Sequence, residues 1–328
     1  MTILNIRFFN FFLIFGFLLL SACTENVQQK QAPQMTGSVS DSHSPYQADN
    51  WGADTFHAII VTDTNDRRIG KSVAIDLEAM RNLVGSISKY TGLVLSEHYI
   101  SGNQFTYHNV TTALNRLSIG NNDAVLFYYA GHGYNANNRS RWPVLDTKST
   151  SRLSLNSVVQ TLKSKKPRFF LVIADTCNTF MDRLIVTESM SGSRGNIPNA
   201  ENYKRLFLHS RGHIVASGAK PGQSSWSNSQ VGGFFTYQFL GQLDNALVSS
   251  HPPSWKNIMM GATKRLDFPN GVIQQPQYKI NIEGESQVGG EAQAAPGGKN
   301  DREFEWLLDR YPSDQNYNLN KWHWQPDE

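Results

Sequence analysis

Along the middle of the chain, short uninterrupted apolar runs alternate with stretches whose apolar residues recur at helical spacing. Phe56-His57-Ala58-Ile59-Ile60-Val61 reads as a buried strand. Val73, Leu77, Met80, Leu83 and Val84 predict an amphipathic helix over 72–88. Leu93-Val94-Leu95 opens a second strand, and Val110, Leu114 and Leu117 mark a second helix. Ala124 to Ala130 is apolar throughout, a third strand, and Leu155, Val158, Val159 and Leu162 give a third helix. Arg168 to Ala174 and Gly212 to Ala216 read as a fourth and a fifth strand, with helices following over 232–247 and 254–266. Continuous β-branched and aromatic runs separated by amphipathic helices predict an α/β fold: a three-layer sandwich with a mostly parallel central sheet flanked by helices. In such sheets the working residues gather beyond the C-terminal ends of the strands.

The ends of the chain have a different texture. Arg7 precedes an apolar run from Phe8 to Leu20 that is short for a membrane span and fits the core of a signal peptide. Leu20-Ser21-Ala22-Cys23 closes it, and this ending resembles the lipobox of bacterial lipoproteins. The resemblance implies removal of residues 1–22, lipidation of Cys23 and anchoring of an exported protein to a membrane through its N-terminal lipid. Thr24, in place of an Asp, favours the outer membrane, facing the periplasm, by analogy with lipoproteins of double-membraned bacteria. Residues 23–50, rich in Gln, Ser, Asp and Pro, read as a flexible tether. The domain is expected over 51–284, and 285–328 read as a linker and a tail carrying Trp306, Trp322 and Trp324.

Composition narrows the chemistry. With 39% hydrophobic residues in 328, the chain has ample material for a core. The formal net charge of +3 falls to +2 once Arg7 is removed, and the basic residues are scattered, which argues against a nucleic-acid partner. Two cysteines, Cys23 and Cys177, exclude a disulfide-rich scaffold and a multi-thiolate zinc site. Gly70-Lys71-Ser72 is not a phosphate-binding loop, because Asn65 stands where that loop needs its first glycine. There is no G-x-S-x-G elbow and no H-E-x-x-H, and the histidines show no ligand spacing, so neither a serine hydrolase nor a metal site is expected.

Two strand ends carry the candidate chemistry. The third strand runs into Gly131-His132-Gly133, and the fourth into Asp175-Thr176-Cys177-Asn178. If Cys23 is lipidated, Cys177 is the one remaining cysteine with a thiol. A thiol and an imidazole at one sheet edge can perform acyl transfer: the imidazole favours the thiolate and then protonates the leaving amine. The glycines beside His132 admit a substrate backbone, and the N–H groups of Gly133 and Cys177 are candidate oxyanion donors. Taken singly, each side chain also fits a bland role, the histidine as a hydrogen-bonded structural residue and the cysteine as core filling.

These two segments resemble the active-site signatures of the caspase-like cysteine peptidases, in particular bacterial orthocaspases and metacaspases, in which a histidine precedes the cysteine by roughly 50 residues. Ser72-Val73-Ala74-Ile75-Asp76, Val215-Ala216-Ser217-Gly218-Ala219, Gly232-Gly233-Phe234 and Gln275-Pro276-Gln277 extend the likeness over about 54–280. The resemblance implies the caspase-like version of the fold. It implies Cys177 as nucleophile, His132 as general acid/base, Gly133 and Cys177 as oxyanion donors, and Asp175, Asp76 and Ser217 as substrate-binding residues. It further implies an acidic pocket selecting Lys or Arg before the cut in a protein or peptide substrate. Asp76 either fits the family's first-helix Asp or is an exposed helix residue. Ser225 to Ser227 lie where relatives commonly carry an acid. Arg183 and Arg194, within 181–199, are candidate self-cleavage sites. No cofactor is expected; calcium enters by family analogy alone, with no acidic cluster to support it. Two other readings share the same residues: a catalytically silent binding module, and an acyltransferase or transpeptidase.

Overall fold

A computed structural model of the chain describes residues 54–136, 140–179, 198–268, 271–283 and 285–289. Cys23 and the leader, the tether, the candidate self-cleavage residues Arg183 and Arg194, and the Trp-bearing tail lie outside the described residues.

The apolar runs form the strands of one sheet. The elements follow as β1 (Thr55–Thr62), α1 (Gly70–Thr91), β2 (Val94–Ser101), α2 (Tyr107–Arg116), β3 (Ala124–Ala130), α3 (Leu155–Lys165), β4 (Phe169–Asp175), β5 (Gly212–Ser217), α4 (Phe234–Leu247), α5 (Trp255–Ala262), β6 (Gln277–Ile282) and β7 (Glu285–Gly289). The strand order is β7-β6-β5-β4-β3-β1-β2. The five strands β1 to β5 are mutually parallel, and β6 and β7 add an antiparallel pair at one edge.

β3 and β4 are buried at every position because both faces of the sheet are covered. Ile60, Tyr128, Ile173 and Ala216 pack against Met80 and Val84 of α1, Phe235 and Phe239 of α4 and Trp255 of α5. Their neighbours Ile59, Phe127, Val172 and Val215 face Val110 and Leu114 of α2 and Val158 and Leu162 of α3. Alternation along the strands thus builds two cores, one on each face, and the expected three-layer α/β sandwich is the observed fold. α2, α3 and α5 start where the sequence supplies an acceptor: Thr106 Oγ1 caps Asn109 N–H, Ser154 Oγ caps Ser157 N–H, and Ser254 Oγ caps Asn257 N–H. Among the described residues no helix is long and apolar enough to cross a membrane.

After β1 the chain turns out to α1 and β2 on one side, then returns to β3 on the other. The direction of winding therefore reverses between β1 and β3, which opens a crevice beyond their C-terminal ends.

Candidate active site

The register of β3 on β4 pairs Ala130 with Asp175. His132 and Cys177 each follow two residues later, so they leave neighbouring parallel strands at the same edge. Both line one cleft beyond the sheet, together with Asp76, Asp175, Ser225 and Trp226. Cys177 is partly exposed and in no disulfide, with its Sγ 3.6 Å from Ser225 O. A nucleophile needs that opening to solvent, and a core-filling cysteine would lack it.

The loop after His132 is pinned from behind. Tyr129 Oη shares its one proton between His132 O (2.6 Å) and Asp146 O (2.8 Å), and Asp146 N–H donates to the same His132 carbonyl (3.0 Å). Gly133-Tyr134 then pairs antiparallel with Val144-Leu145. Hydrogen-bonded and non-bonded pairs alternate along such a ladder. Since His132–Asp146 is a bonded pair, Gly133–Leu145 is not, and the Gly133 N–H points away from the ribbon. A Cβ on Gly133 would collide with Thr176 Oγ1 and come within 2.8 Å of Val144 O, so glycine lets the His132 loop lie directly on the Cys177 loop.

Asn178, fully buried, fastens the Cys177 loop to its surroundings. Its Oδ1 accepts from Asn135 Nδ2 (2.7 Å), and its Nδ2 donates to Arg141 O (3.0 Å) and Ala219 O (3.2 Å). Its backbone N–H donates to Gln223 O, and its carbonyl accepts from Gly222 N–H. A buried amide with every group engaged fixes the residue beside it within a narrow range.

Two carboxylates form the cleft floor. Asp76 is 2% exposed and Asp175 7%. Gly233 N–H donates to both oxygens of Asp76 (3.0 and 3.2 Å). Asp175 Oδ1 accepts from Ser225 Oγ (2.6 Å), and its Oδ2 accepts from the N–H and Oγ1 of Thr236 (2.8 Å each). Burial, joined by repulsion from Asp175, raises the Asp76 pKa well above the usual carboxylate value, against the Gly233 hydrogen bonds. Burial also raises Asp175, against its hydrogen bonds from Ser225 and Thr236. The Gly232-Gly233 backbone passes between the two: a Cβ on Gly232 would collide with Asp76 Oδ1, and one on Gly233 with Asp175 Oδ2. Asp76 is therefore a buried residue on the inner face of α1, and the alternative of an exposed helix position falls. Ser225 occupies the place where an acid was the comparison, and it serves as a hydrogen-bond donor to Asp175.

Ser217 stands apart from this cleft. It is fully buried, its Oγ donates to Ala219 O (3.1 Å) and accepts from Gln277 Nε2 (3.0 Å), and it holds β5 to β6.

One residue of the site went unread in the sequence. Asp66, in the turn after β1, places Oδ2 3.1 Å from His132 Nε2, with the two side chains 15% and 13% exposed. Its Oδ1 accepts from Arg68 N–H (2.8 Å) and Ile69 N–H (3.1 Å). The ring N–H direction is off the oxygen, so Nε2 makes no aligned hydrogen bond despite the short distance. Burial works to raise the Asp66 pKa, but the Arg68 and Ile69 hydrogen bonds and the adjacent His132 outweigh it and hold the carboxyl below its ordinary value. A carboxylate just past the strand that lies beside β3 was the available signal. Behind it, Asp63 at the end of β1 binds Lys148 Nζ through Oδ1 (2.6 Å).

Among the described residues no group of three or more His, Cys, Asp or Glu side chains is arranged to hold a metal ion. The sequence profile of the caspase domain matches residues 55–285. The chain belongs to this family of cysteine peptidases. The matched span runs from the first residue of β1 to the first of β7 and includes every residue of the cleft. Caspase-1 from Spodoptera frugiperda is similar to the chain at 14% identity and a TM-score of 0.45, with 72% of this chain and 92% of that one covered. Among curated proteins, no sequence matches.

Proposed function

We propose that the caspase domain of this chain is an active cysteine endopeptidase in which His132 and Cys177 form the dyad. The observation that carries this reading is their placement: each sits two residues past register-paired positions of adjacent parallel strands, and both face one cleft. In the reaction, Cys177 gives its proton to His132 and the thiolate adds to the scissile carbonyl carbon. The N–H groups of Gly133 and Cys177 hold the oxyanion. The imidazolium then protonates the departing amine, leaving a thioester that water hydrolyses.

The substrate residue before the cut is Arg or Lys. Asp76 and Asp175 supply two buried carboxylates on the cleft floor, their hydrogen-bond partners are N–H and O–H groups, and a guanidinium can meet them in a fork. A cation there also relieves the repulsion between them. Residues 1–50 deliver the domain to a membrane through a lipid on Cys23, a reading that rests on the sequence pattern alone.

The test is a panel of fluorogenic peptides incubated with the full chain. Cleavage after Arg or Lys, absent in Cys177→Ala, is the expected result. No cleavage of any peptide, together with failure of iodoacetamide to label Cys177, overturns the peptidase reading in favour of a silent binding domain.

A further inference from the structure

Resting on the peptidase reading, we propose that Asp66 is the positioning residue of the site: its carboxylate holds His132 by Nε2 and so leaves Nδ1 to take the Cys177 proton.

The geometry is specific. Asp66 splits its two oxygens between two tasks. Oδ1 is fixed to the backbone of its own turn by Arg68 and Ile69 N–H, and Oδ2 is carried to 3.1 Å from the ring. A turn-forming Asp needs only the first of these, since an Asx turn uses one oxygen. The second oxygen lies against a ring nitrogen that is buried and has no other hydrogen-bond partner. The three elements involved are the C-terminal ends of β1, β3 and β4, which is where the winding of the sheet reverses.

The chemistry follows from the contact. With Nε2 beside a carboxylate, the neutral ring keeps its proton on Nε2, and the lone pair is on Nδ1. Proton transfer breaks the Cys177 S–H bond and makes an Nδ1–H bond, leaving a thiolate and an imidazolium. Asp66 stays ionised throughout and stabilises the imidazolium; it takes no proton. The off-line N–H of the resting site aligns as the ring becomes charged, in keeping with catalytic contacts that tighten only along the reaction. The titratable and charged groups near the ring are Asp66 and Asp63 from the turn after β1, Lys148, which is paired with Asp63, and, in the shared cleft, Cys177, Asp76 and Asp175.

The experiment compares Asp66→Asn with the wild-type full chain. The Asn retains an oxygen for Arg68 and Ile69 N–H but turns an uncharged amide toward Nε2. Two readouts are taken: peptide kinetics, and the pH midpoint of Cys177 alkylation by iodoacetamide. The expected result is a fall in kcat of about a hundredfold with KM nearly unchanged. The alkylation midpoint is expected to move up by about one pH unit, because the thiolate–imidazolium pair has lost its anion. Asp66→Ala, which also removes the turn, separates folding from chemistry: its melting temperature falls, whereas that of Asp66→Asn holds. An Asn variant with kcat within about threefold of wild type, or an unmoved midpoint, assigns Asp66 to its turn alone and overturns the proposal. A wild type that cleaves nothing while the midpoint still moves with Asp66→Asn sinks the peptidase reading and supports the contact.

Discussion

Two histidine–carboxylate pairs sit at opposite ends of the same strands, and they have nearly the same length. At the N-terminal end, His57 Nε2 lies 3.0 Å from Asp123 Oδ2; at the C-terminal end, His132 Nε2 lies 3.1 Å from Asp66 Oδ2. Their surroundings differ. Asp123 also accepts from Thr55 N–H (2.9 Å) and Gly120 N–H (2.6 Å), so it stitches the starts of β1 and β3 together. The Nδ1 of His57 is buried without a hydrogen-bond partner, and His57 is not among the residues of the cleft. His132 instead shares a cleft with a thiol. A His–Asp contact is thus not a site in itself; what its surroundings present to the ring decides whether it is a rivet or a tool.

The comparison breaks most sharply at His132. His132→Ala is expected to lower kcat by at least about 10³-fold, with an unchanged melting temperature, while His57→Ala lowers the melting temperature and leaves kcat per folded molecule intact. Equal losses of activity from the two variants would contradict the assignment. Gly133→Ala comes next. Its Cβ would push the His132 loop off Thr176 and Val144 O, and we expect roughly a hundredfold lower kcat from the displaced oxyanion donor. A variant as active as wild type would show that the loop yields without consequence.

At the other end, Asp123→Ala strands Thr55 N–H, Gly120 N–H and His57 Nε2. Urea denaturation should show a loss of about 1–3 kcal/mol, with peptide cleavage by the folded fraction unaffected. The smallest effect contrasts Asp76 with both pairs. Its pKa is raised on folding, so its share of stability is present when it is protonated, at or below the ordinary carboxylate range. That share is lost as pH climbs through the raised folded value. Asp76→Asn should therefore melt higher than wild type near neutral pH, by roughly 2–4 °C, with the gap closing at low pH, and should lose the preference for Arg and Lys. A lower melting temperature at neutral pH would mean that the buried charge is compensated after all.

What could be read in the sequence follows the same division. β1, β3, β4 and β5 are legible because burial on both faces makes them continuous apolar runs. β6 escaped because Lys279 and Asn281 are exposed between buried Tyr278, Ile280 and Ile282, an alternation that follows a short polar segment. β2 showed only its beginning, since as an edge strand it is largely exposed. His132 and Cys177 stood out because each is a reactive side chain just past an apolar run. Asp66 did not, because its meeting with His132 depends on β1 lying beside β3, which no local pattern specifies. Asp76 was half-legible: it stands between Val73 and Leu77 in the apolar stripe of α1, where a charge is out of place unless something nearby has a use for it.

Asp66, His132 and Cys177 arrive from three strands spread over more than a hundred positions, and only the alignment of β1, β3 and β4 gathers them. Sliding β3 by a single residue against β4 would turn His132 to the opposite face of the sheet. No short stretch of the chain can therefore cut anything by itself. On the proposed dyad, a nascent or misassembled copy would be inert toward its neighbours, and reactivity would arise only with the finished architecture.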